Sequence, residues 1–289
     1  MEIIVVEPHG YCAGVCRALA LAKKAKAENP GKRIFLLGAP VHNEIATKGL
    51  ENEGFVLLDE REKPLETHLR TLSKGDVVVF SAHGHPEVYD RIAQENGILA
   101  IDATCPFVDA NRRKGKEAGA GGVPLFYVGT RGHLEAESFL KNVPDSIFID
   151  ARSPEVNLGG AKAFLIAQTT LSDTEVELAL DALKNHFAQI EILSARCGAT
   201  EIRQKAIRAL PRDCEALVVL GSSASNNSRK LAEIGEEIGL DSYLALDAGS
   251  LRAIPLGKYK KIALAAGAST PPECFEEALA YLRSLSSPL

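Results

Sequence analysis

Three cysteines recur along the sequence at nearly equal intervals. Cys105 lies 93 residues after Cys12, and Cys197 lies 92 residues after Cys105. Each follows an apolar stretch and precedes a segment with helical periodicity, so we expect each thiol at a helix N-terminus, where the dipole stabilises the thiolate. Thiolates in such a set can ligate an iron–sulfur cluster or zinc, and burial without a chemical role is the remaining interpretation.

The chemistry of these cysteines depends on how the chain arranges them. If three equivalent units surround a pseudo-threefold axis, the three thiolates meet at its centre. Three-cysteine ligation of a cubane iron–sulfur cluster would leave one iron without a protein ligand, whereas structural zinc usually takes four ligands at short paired spacing. The sequence has no Cys-x-x-Cys. The remaining cysteines fall outside the interval, and we expect packing roles for Cys16, Cys214 and Cys274.

A second polar set lies in loops that follow predicted strands. Imidazoles, hydroxyls and an amide gathered at strand ends suit an oxyanion or a diphosphate, because a neighbouring phosphate favours the protonated imidazole. Zinc binding by three histidines is the alternative, but the neutral hydroxyl and amide partners favour an anion. The four other histidines lie outside this register and receive no role. The set is His42, His83, His133, Ser225, Asn227 and Ser269.

Glu135, two residues after His133, is the one carboxylate attached directly to these loops. A carboxyl group beside an open metal site is a natural proton donor, particularly if burial raises its pKa. Thr169 is placed to orient a substrate hydroxyl or to hold that proton. A solvated loop carboxylate is the alternative interpretation of Glu135. Three further acids end predicted strands and are expected to cap helices or form turns: Asp59, Asp150 and Asp247.

A repeated α/β unit must position these residues. A strand ending in glycine follows each cysteine, and the glycines Gly38, Gly129 and Gly221 lie 26, 24 and 24 residues past their cysteines. Further strands end in an acid and in a small polar loop in each copy. The sequence therefore predicts three α/β units of about 90 residues, with short strands alternating with helices. A single Rossmann sheet is the alternative, but no Gly-x-Gly-x-x-Gly follows the first strand.

Composition sets the class of protein. The 289 residues are 46% hydrophobic and 25% charged, which is typical of a globular protein and excludes a disordered or fibrous one. A net charge of −5 gives no reason to expect nucleic acid as a partner. No apolar run approaches the roughly 18 residues of a membrane span, and the N-terminus lacks the features of a signal peptide. We therefore expect no membrane association, a cytoplasmic location and reduced cysteines.

Several motifs together resemble the LytB (IspH) family of reductases, which act in the methylerythritol phosphate route to isoprenoids. The resemblance runs in order from the first strand to beyond Ser269. The motifs are residues 11–15 (YCAGV), 41–43 (VHN), 81–84 (SAHG), 102–106 (DATCP), 132–133 (GH), 168–170 (QTT), 199–200 (AT), 203–204 (RQ) and 266–269 (AGAS).

The resemblance implies a fold, a cofactor and a reaction. The fold is α/β, a trefoil of three pseudo-threefold-related α/β modules around a central cluster site. We expect the modules at 14–102, 103–195 and 196–289, the last completed by the N-terminal strand at 1–13. The cofactor is a 4Fe–4S cluster held by Cys12, Cys105 and Cys197. The reaction is reductive dehydroxylation of 4-hydroxy-3-methylbut-2-enyl diphosphate to isopentenyl and dimethylallyl diphosphate, with ferredoxin or flavodoxin as electron donor.

The same resemblance assigns roles to residues. Glu135 delivers protons with Thr169 nearby, and the diphosphate is held by His42, His83, His133, Ser225, Asn227 and Ser269, with Asn226 beside them. The sequence departs from the family at Asn226, usually a small residue, at Leu134, commonly proline, at Cys16, usually not cysteine, and over 108–112. These departures leave open a divergent paralogue that acts on another phosphorylated compound. A separate alternative is a non-catalytic zinc or cluster sensor that binds a partner protein and would have no use for Glu135 or the anion-binding residues.

Overall fold

The structure, a computed structural model, describes residues 1–195 and 197–286. Within these residues short strands alternate with helices, as the sequence predicts, except that no helix lies between the strands Ile147–Asp150 and Gly160–Ala167. The strands are β1 (Glu2–Val5), β2 (Ile34–Leu37), β3 (Phe55–Leu58), β4 (Val77–Phe80), β5 (Leu99–Asp102), β6 (Leu125–Gly129), β7 (Ile147–Asp150), β8 (Gly160–Ala167), β9 (Phe187–Ile192), β10 (Ala216–Leu220), β11 (Asp241–Ala245) and β12 (Lys261–Ala266).

The helices connect the strands. They are α1 (Ala13–Glu28), α2 (Glu44–Asn52), α3 (Leu65–Arg70), α4 (Val88–Glu95), α5 (Pro106–Gly119), α6 (Leu134–Asn142), α7 (Asp173–Lys184), α8 (Gly198–Arg208), α9 (Asn226–Glu237), α10 (Ala248–Leu251) and α11 (Pro272–Ser286), with a 3₁₀ turn at Leu256–Lys258. Parallel strands need crossover connections of this kind. In the described part of the chain, no helix is long and apolar enough to cross a membrane.

Three four-stranded sheets with one shared topology confirm the predicted α/β class and the threefold repeat. The strand orders are β3-β2-β4-β5, β7-β6-β8-β9 and β11-β10-β12-β1, and every strand pair is parallel. The N-terminal strand β1 pairs with β12 and takes the place that β5 and β9 have in the other sheets. The alternative of one continuous Rossmann sheet is therefore wrong, while the predicted module boundaries stay a prediction.

The central strands of the sheets are largely apolar and largely buried. All four residues of β2 and of β4 are buried, and so are all five residues of β6 and of β10. Burying one large aliphatic side chain stabilises the fold by roughly 1.5–3 kcal/mol, so these strands anchor each module. The loops at their carboxyl ends are the places where polar side chains are presented.

The chain divides into two compact units. One contains residues 1–15, 42–49 and the segment from 198 onward, and includes the sheet β11-β10-β12-β1. The other, the larger unit, contains residues 16–41 and 50–197 and includes the two remaining sheets.

The three acids at or just after strand ends form turns or caps, as predicted. Asp59 and Asp150 accept the backbone N–H groups of Arg61 and Arg152, and Asp247 caps α10.

Glycine at position 115 shapes the interior of the larger unit. A Cβ atom at this position of α5 would lie 2.5 Å from the ring of Phe139, which no real contact allows. With hydrogen in its place, the Phe139 ring stacks on Tyr127 at a centroid distance of 4.2 Å. Gly115 therefore allows α5 and α6 to pack closely beside β6. The candidate catalytic residue Glu135 lies in the first turn of α6.

Candidate active site

The three equally spaced cysteines lie directly before helices, as predicted. Cys12 precedes α1, and its Sγ accepts the backbone N–H of Val15 at 3.5 Å. Cys105 is the N-cap of α5, with Pro106 at the first helical position. Cys197 precedes α8. All three thiols are partly buried and none belongs to a disulfide within the described residues. The positive end of a helix dipole favours the thiolate that metal binding needs.

The backbone N–H groups of two of these cysteines make equivalent hydrogen bonds. The N–H of Cys12 donates to the carbonyl of Ala268, which follows β12, and the N–H of Cys105 donates to the carbonyl of Ala82, which follows β4, both at 3.0 Å. In both sheets the anchoring strand is the neighbour of the strand that leads to the cysteine. These equivalent hydrogen bonds place Cys12 and Cys105 at the carboxyl ends of the strands of their own sheets, where parallel sheets bind ligands.

The donor chemistry of the three cysteines suits an iron–sulfur cluster. Among residues 1–195 and 197–286, no three His, Cys, Asp or Glu side chains form a group that could hold one ion. A cubane cluster takes one thiolate on each of several irons. Three thiols at helix N-termini, with no fourth member of the repeat, are consistent with that donor set.

The packing role predicted for the remaining three cysteines is confirmed for two of them and wrong for one. Cys214 and Cys274 are buried, and burial is the main cause that raises the pKa of both thiols, to about 11 for Cys274. Cys16 is exposed, so the packing role expected for it is wrong. The buried side chains of α1 are Val15, Ala18 and their successors at helical spacing, and position 16 falls outside that stripe.

His133 and Glu135 form one local structure at the start of α6. His133 is the helix N-cap, and its Nδ1 accepts the backbone N–H of Glu135 at 3.1 Å. A ring nitrogen that accepts a hydrogen bond carries no proton, so in the neutral imidazole Nε2 bears the hydrogen and is a donor. The N-cap contact therefore sets the tautomer that suits an anionic ligand.

The Glu135 carboxyl group is buried and held by Thr169. Only 3% of Glu135 is exposed, which excludes the alternative of a solvated loop carboxylate. The backbone N–H of Thr169 donates to Oε1 and its hydroxyl to Oε2, both at 2.8 Å. Burial raises the pKa of Glu135 from 4.5 to about 7, although the two hydrogen bonds from Thr169 oppose the rise. At neutral pH the group can both release and accept a proton.

His83 lies next to His133. The two rings meet edge to face at a centroid distance of 5.7 Å. Ser81 Oγ lies 3.3 Å from Nδ1 of His83 and fixes the ring on its other side. The larger unit thus brings together His83, His133, Glu135 and Thr169, four of the residues that the sequence singled out.

The smaller unit carries the other polar residues, and His42 is among them. Burial and, secondarily, the Arg229 guanidinium lower the pKa of His42 from 6.5 to about 4, while Glu44 acts in the opposite direction. His42 is therefore neutral at pH 7 without a ligand. Its backbone carbonyl accepts the hydroxyl of Ser269 at 3.0 Å, which joins the loops after β2 and β12.

The side chain of Asn227 is buried at the start of α9. Among the residues that the structure describes, neither amide atom of this buried side chain has a hydrogen-bond partner. Its neighbours are already engaged: Ser225 caps α9 by accepting the N–H of Ser228, and Asn226 Oδ1 accepts Arg229 at 3.0 Å. An unpaired buried amide costs roughly 1–3 kcal/mol, which a bound polar group would recover.

The sequence pattern gave Arg229 no role in the site. Its guanidinium donates to the Ser223 carbonyl at 2.7 Å and to Asn226, and the charge acts on His42. The feature that could have indicated a role is the position of Arg229 in the first turn of α9, two residues after Asn227. A fixed positive charge there would strengthen the attraction of this helix N-terminus for an anion.

A second missed contact supports the loop before Cys12. Arg203 of α8 donates to the carbonyl of Gly10 at 2.7 Å and to that of Ala199 at 2.9 Å. Gly10 has a φ of +71°, a conformation that side chains rarely adopt. The buried Arg203 thus holds the turn that leads into Cys12.

The chain is similar to known proteins of one family. The family model described as LytB protein matches residues 3–283. The 4-hydroxy-3-methylbut-2-enyl diphosphate reductase of Lysinibacillus sphaericus is 35% identical over 288 residues, which cover 98% of this chain and 88% of the relative. The protein of the same name from Bacillus subtilis is 33% identical, with coverage of 98% and 90%.

A solved structure shows the same fold. The structure of the E-1-hydroxy-2-methyl-but-2-enyl-4-diphosphate reductase from Plasmodium falciparum matches with a TM-score of 0.86 and 27% identity, over 99% of this chain and 88% of that one. The chain therefore belongs to the LytB family, the family of the 4-hydroxy-3-methylbut-2-enyl diphosphate reductases.

Proposed function

We propose that this chain is an oxidoreductase that converts 4-hydroxy-3-methylbut-2-enyl diphosphate to isopentenyl and dimethylallyl diphosphate, the last step of the methylerythritol phosphate route. Family membership supports the reaction. The observation that carries it is the buried Glu135 carboxyl group, which has a pKa of about 7 and lies between the N-cap His133 and Thr169. A proton donor tuned to neutral pH beside an anion-binding imidazole suits the dehydroxylation of an allylic diphosphate.

Cys12, Cys105 and Cys197 would hold a 4Fe–4S cluster. When bound, the cluster supplies the electrons that break the bond between carbon and the leaving hydroxyl. Iron–sulfur chemistry is consistent with the family, and the three thiols at helix N-termini support the donor set. Ferredoxin or flavodoxin is the electron donor that we propose.

The polar loops bind the diphosphate. In the larger unit His83 and His133 present imidazole donors, and in the smaller unit Asn227 offers an unpaired amide. His42 is neutral without ligand and would gain a proton beside a phosphate, since an anion favours the imidazolium. Arg229 adds a fixed charge. The full set is His42, His83, His133, Ser225, Asn226, Asn227 and Ser269.

Glu135 transfers the proton that converts the leaving hydroxyl to water. The reaction takes up two electrons and two protons and releases one water. Thr169 holds the carboxyl group in place through two hydrogen bonds, so the acid is oriented before the substrate arrives. Leu134, the first residue of α6, replaces the family's common proline without removing Glu135 from this position.

The test is turnover of the anaerobically purified, iron-loaded protein with a chemical reductant. We expect both diphosphate products from the allylic diphosphate and none from the corresponding alcohol without diphosphate, because the imidazoles and Asn227 need an anion. Consumption of only another phosphorylated compound would indicate the divergent paralogue. An iron-loaded protein that converts neither would indicate a sensor.

A further inference from the structure

A cavity of about 600 Å³ lies within the larger unit, and Glu135 forms part of its lining. Its walls come from the loops after β4 and β5, from α4 and α5, and from β6 and α6. None of the three spaced cysteines lines it. The side chains of Asp90 and Asp102 are 55% and 59% exposed, so the outer wall reaches solvent. The volume is far more than a single water molecule needs.

The inner wall contains Glu135 and Tyr127. Tyr127 is fully buried, and its hydroxyl has no hydrogen-bond partner in the part of the chain that the structure describes. Burial and, to a smaller extent, the charge of Glu135 raise the pKa of Tyr127, so the hydroxyl keeps its proton at neutral pH. A buried hydroxyl without a partner beside a polar cavity calls for ordered water.

The outer part of the cavity contains His85, a histidine to which the sequence assigned no role. Its Nε2 lies 3.2 Å from a carboxylate oxygen of Asp90, and its Nδ1 lies 3.9 Å from one of Asp102. The ring packs on Phe80 at a centroid distance of 4.0 Å, which fixes its orientation. An imidazole held in this way can take up a proton on one nitrogen and release one from the other.

The charges of the wall favour a cation over an anion. Carboxylates outnumber guanidinium groups, and the Arg112 guanidinium is already paired with Glu87 and Asp109. Such a wall attracts protons and repels a diphosphate, so the cavity is not a second substrate site. Besides Glu135, the Asp, Glu and Arg residues that line it are Glu87, Asp90, Arg91, Asp102, Asp109 and Arg112.

We propose that this cavity is the route by which protons from solvent reach Glu135, with His85 as the relay at its outer end and the Tyr127 hydroxyl as the anchor of the water at its inner end. The inference rests on the proposed function, since Glu135 gives up a proton in each turnover. A solvent hydronium ion gives a proton to one ring nitrogen of His85, the other nitrogen releases one to cavity water, and an O–H bond forms on the Glu135 carboxylate. No electron moves.

The experiment is chemical rescue of the iron-loaded enzyme with excess reductant. We expect His85→Ala to lower turnover at least fivefold, with KM and iron content nearly unchanged, and added imidazole to restore most of the loss by diffusing into the cavity. Imidazole should restore nothing to Glu135→Gln. His186→Ala is the matched control: this histidine is exposed and distant in sequence from the cavity walls, and its variant should keep full turnover with or without imidazole.

Tyr127→Phe is the second variant, because it keeps the ring that stacks on Phe139 and removes only the hydroxyl. We expect lower turnover and a larger solvent isotope effect than in the wild type. Full turnover in His85→Ala and in Tyr127→Phe, or a loss in His85→Ala that imidazole does not restore, would overturn the route. In those cases an active wild type and an impaired Glu135→Gln leave the proposed function intact. A wild type without turnover would contradict both.

Discussion

Thr169 binds both oxygens of the Glu135 carboxylate, one through its backbone N–H and one through its hydroxyl, each at 2.8 Å. Two opposing effects therefore act on one carboxyl group. Burial disfavours the charge and raises the pKa, whereas hydrogen bonds to the ionised form lower it, and the balance lies at about 7. Removing the hydroxyl should shift this balance in a known direction.

Thr169→Val should raise the pKa of Glu135 further, because the ionised carboxylate loses one of its two donors. A proton donor works only while protonated, so the alkaline limb of the pH profile of kcat/KM should move to higher pH. Thr169→Ser keeps the hydroxyl and should keep the wild-type midpoint. A midpoint that moves to lower pH in Thr169→Val would contradict the assignment of the limb to Glu135.

His42 should titrate near pH 4 in the ligand-free protein, as followed by NMR of its ring. Between pH 4 and 6.5 the folded state then binds fewer protons at this group than the unfolded state, so its contribution to stability is lost as pH falls through that window. Arg229→Gln should raise the pKa of His42, but only part of the way to 6.5, because burial is the larger cause. Added inorganic diphosphate should also raise it. A midpoint near 6.5 without ligand would contradict this account.

Serine in place of Cys12, Cys105 or Cys197 should lower the iron content per chain, because each thiolate would ligate the same cluster. Cys16→Ser is the matched control, since this exposed residue lies one helical turn past Cys12 and should leave the iron content unchanged. Iron is measured after anaerobic purification. Full retention in one of the first three variants, or complete loss in Cys16→Ser, would count against the ligand set.

Gly267→Ala should lower the free energy of unfolding by roughly 1–3 kcal/mol, the usual cost of overpacking. Its Cβ would lie 2.0 Å from the Ser228 hydroxyl oxygen, which occupies the space beside Gly221 and Gly267. Ser228→Ala removes that oxygen, so the double variant should recover most of the loss. Denaturant unfolding of the four proteins gives the coupling energy. Additive losses would show that the hydroxyl is not the obstacle.

Much of the fold could be predicted because its signals repeat along the sequence. The equal spacing of the cysteines and the strands ending in glycine predict three modules, and three sheets of one topology confirm them. Cys16 shows how residue type can mislead. Its place outside the buried stripe of α1 indicated exposure, but a packing role was expected because cysteine is so often buried.

The site could be predicted only where its residues are near in sequence or carry a motif. His133 and Glu135 share one helix start, so their relation was visible. The roles proposed for Arg229, Tyr127 and His85 depend on interactions that only the folded chain creates: the charge of Arg229 on His42, the charge of Glu135 on Tyr127, and the carboxylates around His85. No periodicity or spacing reports such contacts.

Turnover of Glu135→Gln tests the central claim most directly. Glutamine keeps the size of the side chain but cannot supply a proton, so kcat and kcat/KM should fall together by roughly 10²–10⁴-fold, with iron content and substrate affinity nearly intact. Glu137→Gln is the matched control, because Glu137 lies on the same helix but is exposed and should keep wild-type turnover. Near-normal turnover of Glu135→Gln with reductant in excess would show that another group donates the proton.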